Sequence, residues 1–568
     1  MTVRTKVIGR QPTDHGPYDP NLAYGEKFQC TLFGCSWESK HDNNTTAPAV
    51  WDGGDTITPN LVDWKKVSGS YEAWLMNKDK PATTGTTGDY PYNGMGRVKL
   101  AKNMVNTGTD LEPVMVNTLT QDMFYKGAVG SRVPNTNTIF VIQYDYELAE
   151  DITIPSGCVL EFAGGSISGA YILTGNKTKI LGTNVYINPE VSFAGTFVIN
   201  TVYVDWFINN RADGVYIDNA LTKAIQLAKL ALTSLTFGGN VDQNICYKCI
   251  VGGFDVSGLT IYGNGSLIFA LDNVTSLFVS RSSVCIKDLK MSAYPYPSAS
   301  APTSKVAISI SEYNGFGIVI DNCEFDGFYR GISVDRVWNL NITNNDFLRC
   351  VFGIYSEGLS VNNRIVNNTI RVNTDVTDSR CIYINGLTEG WIISNNTLLG
   401  GDYGIMLNNC ANVIISNNIM DLQQLVCIKT ISNCAGLFIT GNYFGLNEGG
   451  NSIISCERQS YQNNEDTALF IENNNFKGYG DGPIVGFINL NSYNSKCWII
   501  RGNTFKTTNR LNDRILPIGS QDNIFEITCL IFKDNFYDVY TPGGADEPWP
   551  FASWSNFTKT AISDNMFV

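Results

Sequence analysis

An eight-residue pattern written repeatedly through the second half of the chain limits its fold more than any other feature. "WIISNNTL" starts at Trp391 and "VIISNNIM" at Val413. Related octets start at Ile318 ("IVIDNCEF"), Leu340 ("LNITNNDF"), Asn363 ("NRIVNNTI"), Leu437 ("LFITGNYF"), Leu469 ("LFIENNNF"), Trp498 ("WIIRGNTF"), Cys529 ("CLIFKDNF") and Thr560 ("TAISDNMF"). Weaker copies start at Phe254 and Val284. The intervals of 22 to 34 residues are too irregular for a helical solenoid and suit coils that carry loops of unequal length.

Within each octet the first and third residues are mostly apolar, the alternation of a half-buried strand. Asn, Gly or Asp follow, which marks a turn that needs left-handed backbone angles. A Phe or aliphatic residue then re-enters the core. A second short strand comes a few residues later, as "GISV" at Gly331, "GIYS" at Gly353, "CIYI" at Cys381, "GIML" at Gly404 and "CIKT" at Cys427. Short strands and turns without long helical periods predict a mainly β protein. Its expected core is a right-handed parallel β-helix solenoid, with a small N-terminal β module and one capping α-helix. The sixth octet position is Asn345, Asn368, Asn396, Asn418, Asn442, Asn474, Asn503 and Asn565. Stacked at one corner, these side chains are expected to hydrogen-bond in a ladder that satisfies otherwise buried amides.

Composition removes several classes of function. The 568 residues carry a net charge of -13 and no basic stripe, which argues against nucleic acid as a partner. Among the 15 cysteines only Cys246 and Cys249 have metal or redox spacing, and no second pair completes a zinc site. The cysteines are therefore expected as small buried hydrophobes, with no metal and no cofactor. No apolar run is long enough to cross a bilayer, and "MTVRTKVIGRQPTDHG" lacks the apolar core of a signal peptide. A chain made in the cytosol is expected, with its Asn-Asn-Thr sequons unglycosylated.

Four regions are expected. Residues 1–77 are expected to form a β module around Trp37 and Trp64, and residues 78–138, which open on a Pro/Gly/Thr-rich stretch, read as a linker or neck. Residues 139–240 hold β structure and a helix, and 241–568 the solenoid. Asp218 is placed to cap the helix, whose apolar face includes Leu221, Ile225 and Leu232. Such a helix shields the open strand edge of the first coil.

Three stretches carry resemblances. Asp213-Gly214 followed by Ala224-Ile225-Gln226 in a helix resembles the entry to the pectate-lyase-like β-helix family. "NTIFVIQYDYELAEDITIPSGCVLEFAGGSISG" (137–169) looks like a segment of tail fibres and tailspikes of phages that infect gut Bacteroides-type hosts; that likeness covers roughly residues 95–240. It implies a virion-attached homotrimer that binds host surface glycan, often with carbohydrate-degrading activity, assembled in the host cytoplasm and acting at the host cell surface. "YGEKFQCTLFGCSWESK" with "DWKKVSG" resembles small chitin-binding-type β modules, and in a virion such a module could equally dock to other tail or capsid proteins.

Long insertions interrupt the coils at 292–304, 371–380, 445–466, 506–522 and 537–555. If they leave at equivalent corners they lie on one side and can wall a groove. Glycoside hydrolysis needs two carboxylates in different protonation states. Candidates are Asp375, Asp378 and Glu457, with Glu448 and Asp466 also in these loops. Tyr461, Trp549, Trp554 and Trp64 are the aromatic candidates for stacking on sugar. "NTD" at Asn373 and "CIKT" at Cys427 resemble two polygalacturonase motifs, but the remaining motifs are missing and His15 and His41 lie outside the solenoid. The expected function is thus a glycan-binding virion fibre, with a depolymerase or a purely structural fibre as alternatives. The octet at Thr560 ends near the last residue, so no separate terminal lectin domain is expected.

Overall fold

The computed structural model describes, between residues 14 and 69, six strands by backbone alone. It further describes residues 96–107, 114–126, 132–182, 184–209, 216–238, 246–298, 304–315, 317–432, 434–446, 452–456, 468–478, 487–490, 497–507, 529–539 and 560–567. The chain divides into two compact units, Met1–Ile199 and Asn200–Val568. The division falls inside the region read as 139–240.

In the first unit, Cys35–Ser39 pairs antiparallel with both Gln29–Leu32 and Trp64–Gly69, with Ser39 opposite Trp64. From Gly96 onward most of the pairing is parallel, the exceptions being Met104–Asn106 on Met115–Leu119 and Tyr125–Lys126 on Val133–Pro134. Gly96–Lys99, Thr138–Ile142, Val159–Phe162 and Ile172–Gly182 form one parallel stack, and Met115–Leu119, Asp145–Leu148 and Ser166–Ser168 a second. Alternate side chains point into the space between them, so Phe140, Tyr146, Leu148, Leu160 and Ile167 are buried. Phe124 packs edge-on to Phe140 at 4.7 Å, and the Tyr146 hydroxyl donates to the Leu100 carbonyl at 2.6 Å. These are coils already, built on turns other than the Asn octet.

The second unit is a parallel β-helix of three strand faces. Two faces belong to a 23-stranded sheet and the third is a separate 13-stranded sheet. On the first face, Arg330–Val337, Phe352–Glu357, Arg380–Glu389 and the start of Tyr403–Ser416 pair in register. The second face carries the opening residues of the octets, and the third their closing residues, as in Thr369–Val372 over Thr397–Leu399. Like side chains consequently sit atop one another, and Phe325–Phe347, Phe444–Phe476 and Phe476–Phe505 stack at 4.6, 4.8 and 4.7 Å in the interior.

The ladder runs through the corner between the second and third faces. From Asn345 to Asn535, each octet Asn donates its backbone N–H and its side-chain N–H to the Oδ1 of the next, at 2.9 to 3.2 Å. The other amide hydrogen goes to a carbonyl on the preceding coil, such as Ile393 for Asn418 at 2.9 Å. Asn535 belongs to the series although the octet read from Cys529 gave that place to Asp534. Leu530 pairs with Trp498, so the true frame starts one residue later. The residue before each ladder Asn has φ between 56 and 68°, which explains why Asn, Gly or Asp fills it.

Helix α1 (Asp218–Ala231) is inserted between Thr201–Tyr203 and Ser234–Thr236, which pair in parallel at the start of the large sheet. It buries Leu221, Ala224, Ile225, Leu227 and Ala228 against this first coil. Two expectations for the helix are corrected. Ile217 holds the cap position without a side-chain bond, because the Asp218 carboxylate instead accepts the N–H groups of Ile250, Val251 and Gly252. Leu232 is 93% exposed, because the chain turns left-handed there (φ 51°) and leaves the packed face.

Nine of the 12 described cysteines are buried, with burial raising the thiols of Cys323, Cys350 and Cys381 to about 12. Among the described residues no helix is long and apolar enough to cross a membrane.

Asn418→Ala leaves the two N–H donors of Asn396 and the Ile393 carbonyl without partners inside the protein. A loss of about 3 kcal/mol is expected from urea unfolding. Asn417→Gly, at the exposed left-handed position where other coils use Gly441 and Gly502, should stay within about 0.5 kcal/mol of the parent. Equal losses would mean the ladder does not hold the corner.

Candidate functional site

Because the ladder fixes a two-residue turn between the second and third faces, extra chain has to leave elsewhere. Residues 294–305, 373–379, 447–453, 479–487, 508–528 and 540–559 each begin where a third-face strand ends. The region read as a single insertion, 445–466, is interrupted by strand Ile454–Cys456, which continues the first face; only 457–467 leaves at the next corner. Two of the corner loops meet. The Asn373 amide donates to the Pro297 carbonyl at 2.8 Å, across the coils between them. Lys305 closes the earlier loop, buried, with its ammonium on the Tyr294 carbonyl and its own carbonyl accepting the N–H of Tyr329 and Arg330. Burial holds that ammonium below the usual lysine value.

Next to this corner, outward side chains of the first face form a band of aromatic rings and guanidinium groups. Arg330, Phe352, Arg380 and Tyr403 stack in one register column, and Ser333, Tyr355, Tyr383, Met406 and Lys429 in another. Tyr329, Phe352, Tyr355 and Tyr383 contact one another at centroid distances of 5.2 to 6.4 Å. Val351 and Val376 join them, so loop 373–379 covers part of the band. Arg330 lies 3.5 Å from the Tyr355 ring centroid and Arg380 lies 4.3 Å from that of Tyr383. Burial and the neighbouring Glu357 raise the Tyr355 phenol above its usual value, against the opposing pull of Arg330.

The candidate carboxylates behave differently from one another. Asp375 is exposed, and its N–H is held by Asn373 Oδ1 at 2.8 Å in a local turn. Asp378 accepts two bonds from Arg380, Nε to Oδ1 at 3.2 Å and Nη2 to Oδ2 at 2.5 Å, while its N–H donates to Asp402. Its partner is thus a cation. Glu457, Tyr461, Trp549 and Trp554, with Glu448 and Asp466, lie outside the described residues. Trp64 opens strand Trp64–Gly69, and its side chain also lies outside them.

A carboxylate pair that sequence reading missed lies at the ladder corner. A groove of about 470 Å³ is lined by Asp288, Lys290, Asn322, Glu324, Asn344 and Asp346, among others. Glu324 and Asp346 are register partners on adjacent coils. Lys290 pairs with Glu324 at 3.1 Å. Burial, then the charges of Glu324 and Asp326, push the Asp346 carboxyl above its usual range, against the pull of Arg371 and Lys290. One carboxyl ion-paired and its neighbour pushed toward its acid form is the asymmetry that cleavage of a glycosidic bond requires. The signal existed in the sequence. The seventh octet position reads Glu324 and Asp346 in consecutive copies, then Thr369 and Thr397. No group of three or more His, Cys, Asp or Glu among the described residues is arranged to hold a metal ion.

No protein-family model matches the chain, and no curated protein matches it. Among solved structures it is similar to the DFA-IIIase from Arthrobacter chlorophenolicus A6 without its lid, at 13% identity and TM-score 0.39, over 58% of this chain and 95% of that one. It is similar to the Dettilon tailspike protein, at 13% identity and TM-score 0.38, over 64% and 68%. A third likeness is to the periplasmic alginate epimerase AlgG, at 12% identity and TM-score 0.24, over 83% and 84%. No residue role follows from likenesses of this extent.

Arg380→Gln should release Asp378 and uncover Tyr383, so amide exchange across 373–379 is expected to accelerate. The stability cost should stay below about 1 kcal/mol, as for other partly exposed pairs. Unchanged exchange in that loop would mean Arg380 does not fasten it.

Proposed function

We propose that the chain is a tail fibre or tailspike of a phage virion and attaches to polysaccharide on the bacterial surface through the first-face band. The observation that carries this reading is the band itself. Half-buried Tyr329, Tyr383 and Tyr403 with Arg330 and Arg380, packed on buried Phe352 and Tyr355 beside the corner from which the insertions leave, offer rings and planar donors to a sugar chain. The resemblance of residues 95–240 to fibres of phages of Bacteroides-type hosts supports the virion setting, with the N-terminal module docking to other tail or capsid proteins.

The fibre is a homotrimer in this reading. Support comes from a second-face column in which Ile392, Ile414, Phe438, Phe470, Ile499 and Ile531 follow one another outward. Ile414 and Phe438 are 38% and 39% exposed, and Phe438 and Phe470 stack at 4.5 Å. An apolar stripe of this kind is covered in most soluble proteins.

Fluorescently labelled chain should adhere to encapsulated Bacteroides-type cells and fail to adhere to an acapsular derivative. Equal adhesion to both removes the polysaccharide as receptor, and adhesion to neither leaves a purely structural fibre. Light scattering should return three times the 62.6 kDa of one chain, and Phe438→Asp should shift it toward one. A parent that is monomeric at micromolar concentration would rule out the trimer.

A depolymerase is the second reading, favoured by the Glu324–Asp346 groove. Glu324→Gln and Asp346→Asn should each lower release of reducing ends from the bound polysaccharide by about 10²–10⁴-fold. An acid acts only while protonated, so the rate should fall as pH rises through the elevated pKa of Asp346. Full activity in both variants would return these residues to a structural role.

A further inference from the structure

Three guanidinium groups near this corner differ in one respect. Arg349 directs its Nε and Nη2 at the two carboxylate oxygens of Asp326, and Arg380 does the same to Asp378. Arg330 has no such partner among the described residues. Its Nη1 reaches Ser333 Oγ at 3.4 Å, and its Nε is buried without an acceptor. A guanidinium carries five donors in one plane, so most of this one is unspent. One face lies on Tyr355 at 3.5 Å, with Tyr329 at 5.8 Å, which fixes the plane and leaves the edge as the bonding direction.

Three described carboxylates of the neighbouring strands and loop face other groups. Asp335 accepts from Arg336 at 3.2 and 3.0 Å, Asp378 holds Arg380, and Glu357 lies close enough to Tyr355 to raise its phenol. Nε lies out of a ligand's reach, so the donors open to one are those at the Nη end, and a planar acceptor with two oxygens matches such a charged edge best. We propose that Arg330 receives a carboxylate of the ligand, so that the polysaccharide read by the first face is acidic and built with uronic or similar carboxylate-bearing sugars. This rests on the attachment reading and narrows it. Tyr383 and Tyr403 continue the band two and three coils beyond Arg330, placing rings along the path of the following sugars. The net charge of -13 repels a polyanion at long range, so recognition has to come from a local, oriented contact.

The test is native electrophoresis of the full chain through gels that contain polygalacturonate or hyaluronate (carboxylate only), dextran sulfate (sulfate only) or dextran (neutral). Retardation is expected in a carboxylate gel and not in dextran. Arg330→Gln should weaken it at least tenfold, Arg330→Lys should restore part of it by keeping the charge without the fork, and Arg281→Gln, an exposed control, should leave it unchanged. Thermal melts of the variants establish that they are folded. Arg330→Gln binding like the parent overturns the assignment, and so does retardation by dextran sulfate alone, by dextran alone or in no gel. In each of those cases adhesion to encapsulated cells decides the broader reading independently.

Discussion

A buried carboxamide has two donors and an acceptor to satisfy, and at the corner between the second and third faces the neighbouring coils supply them. The Oδ1 of one Asn takes two N–H groups from the coil before it, and the remaining amide hydrogen closes on a carbonyl of that same preceding coil. An added residue would break bonds to both neighbours, which costs about 1–3 kcal/mol for each group left unpaired. The corner therefore admits two residues and a left-handed step, coil after coil. Variation in chain length is displaced to the other corners, most of it to the one where third-face strands end, beside the first face.

In-register stacking also governs what the outer surfaces can carry. Adjacent coils lie about 4.8 Å apart, so each outward side chain meets its register partners directly. On the first face the chain alternates charge with rings, Arg330 over Phe352 and Arg380 over Tyr403, and guanidinium groups lie on aromatic faces rather than on each other. At the groove it does the opposite. Glu324 and Asp346 are direct partners of like charge, only partly offset by Lys290 and Arg371. Like charges directly opposite are destabilising, and a chain whose only need was stability could place Thr there, as it does at Thr369 and Thr397.

The fold was legible wherever the octet was. Alternating apolar residues and the Asn turn gave strand faces, turn geometry and ladder positions from a single sequence, because each property is local or repeats at a fixed place. Asn535 slipped by one because Cys529 imitates an opening apolar residue. Strand Ile454–Cys456 was lost inside an apparent loop because it precedes no Asn turn. The coils from Gly96 to Ile199 carry no octet, so the sequence reads as a linker or neck as far as 138 and only as β structure beyond it. The site was less legible for a different reason. Asp378 was visible as a loop carboxylate, but its engagement with Arg380 depends on the turn between them. Glu324 and Asp346 are 22 residues apart and meet only through stacking.

The bond from Asn373 to the Pro297 carbonyl bears on how such a surface keeps its shape. Loops that leave separate coils would each pay their own ordering entropy if they stood alone. Here the later loop is tied to the earlier one, Arg349 holds Asp326 and covers the Tyr296 ring at 4.0 Å, and Val376 packs onto the aromatic band. The corner is thus fastened at several points along the coils, and the band beneath it is presented on strands rather than on loop tips. A ligand meeting Arg330 and the rings above it finds donors whose directions are already set, so less of its binding free energy goes into ordering the protein.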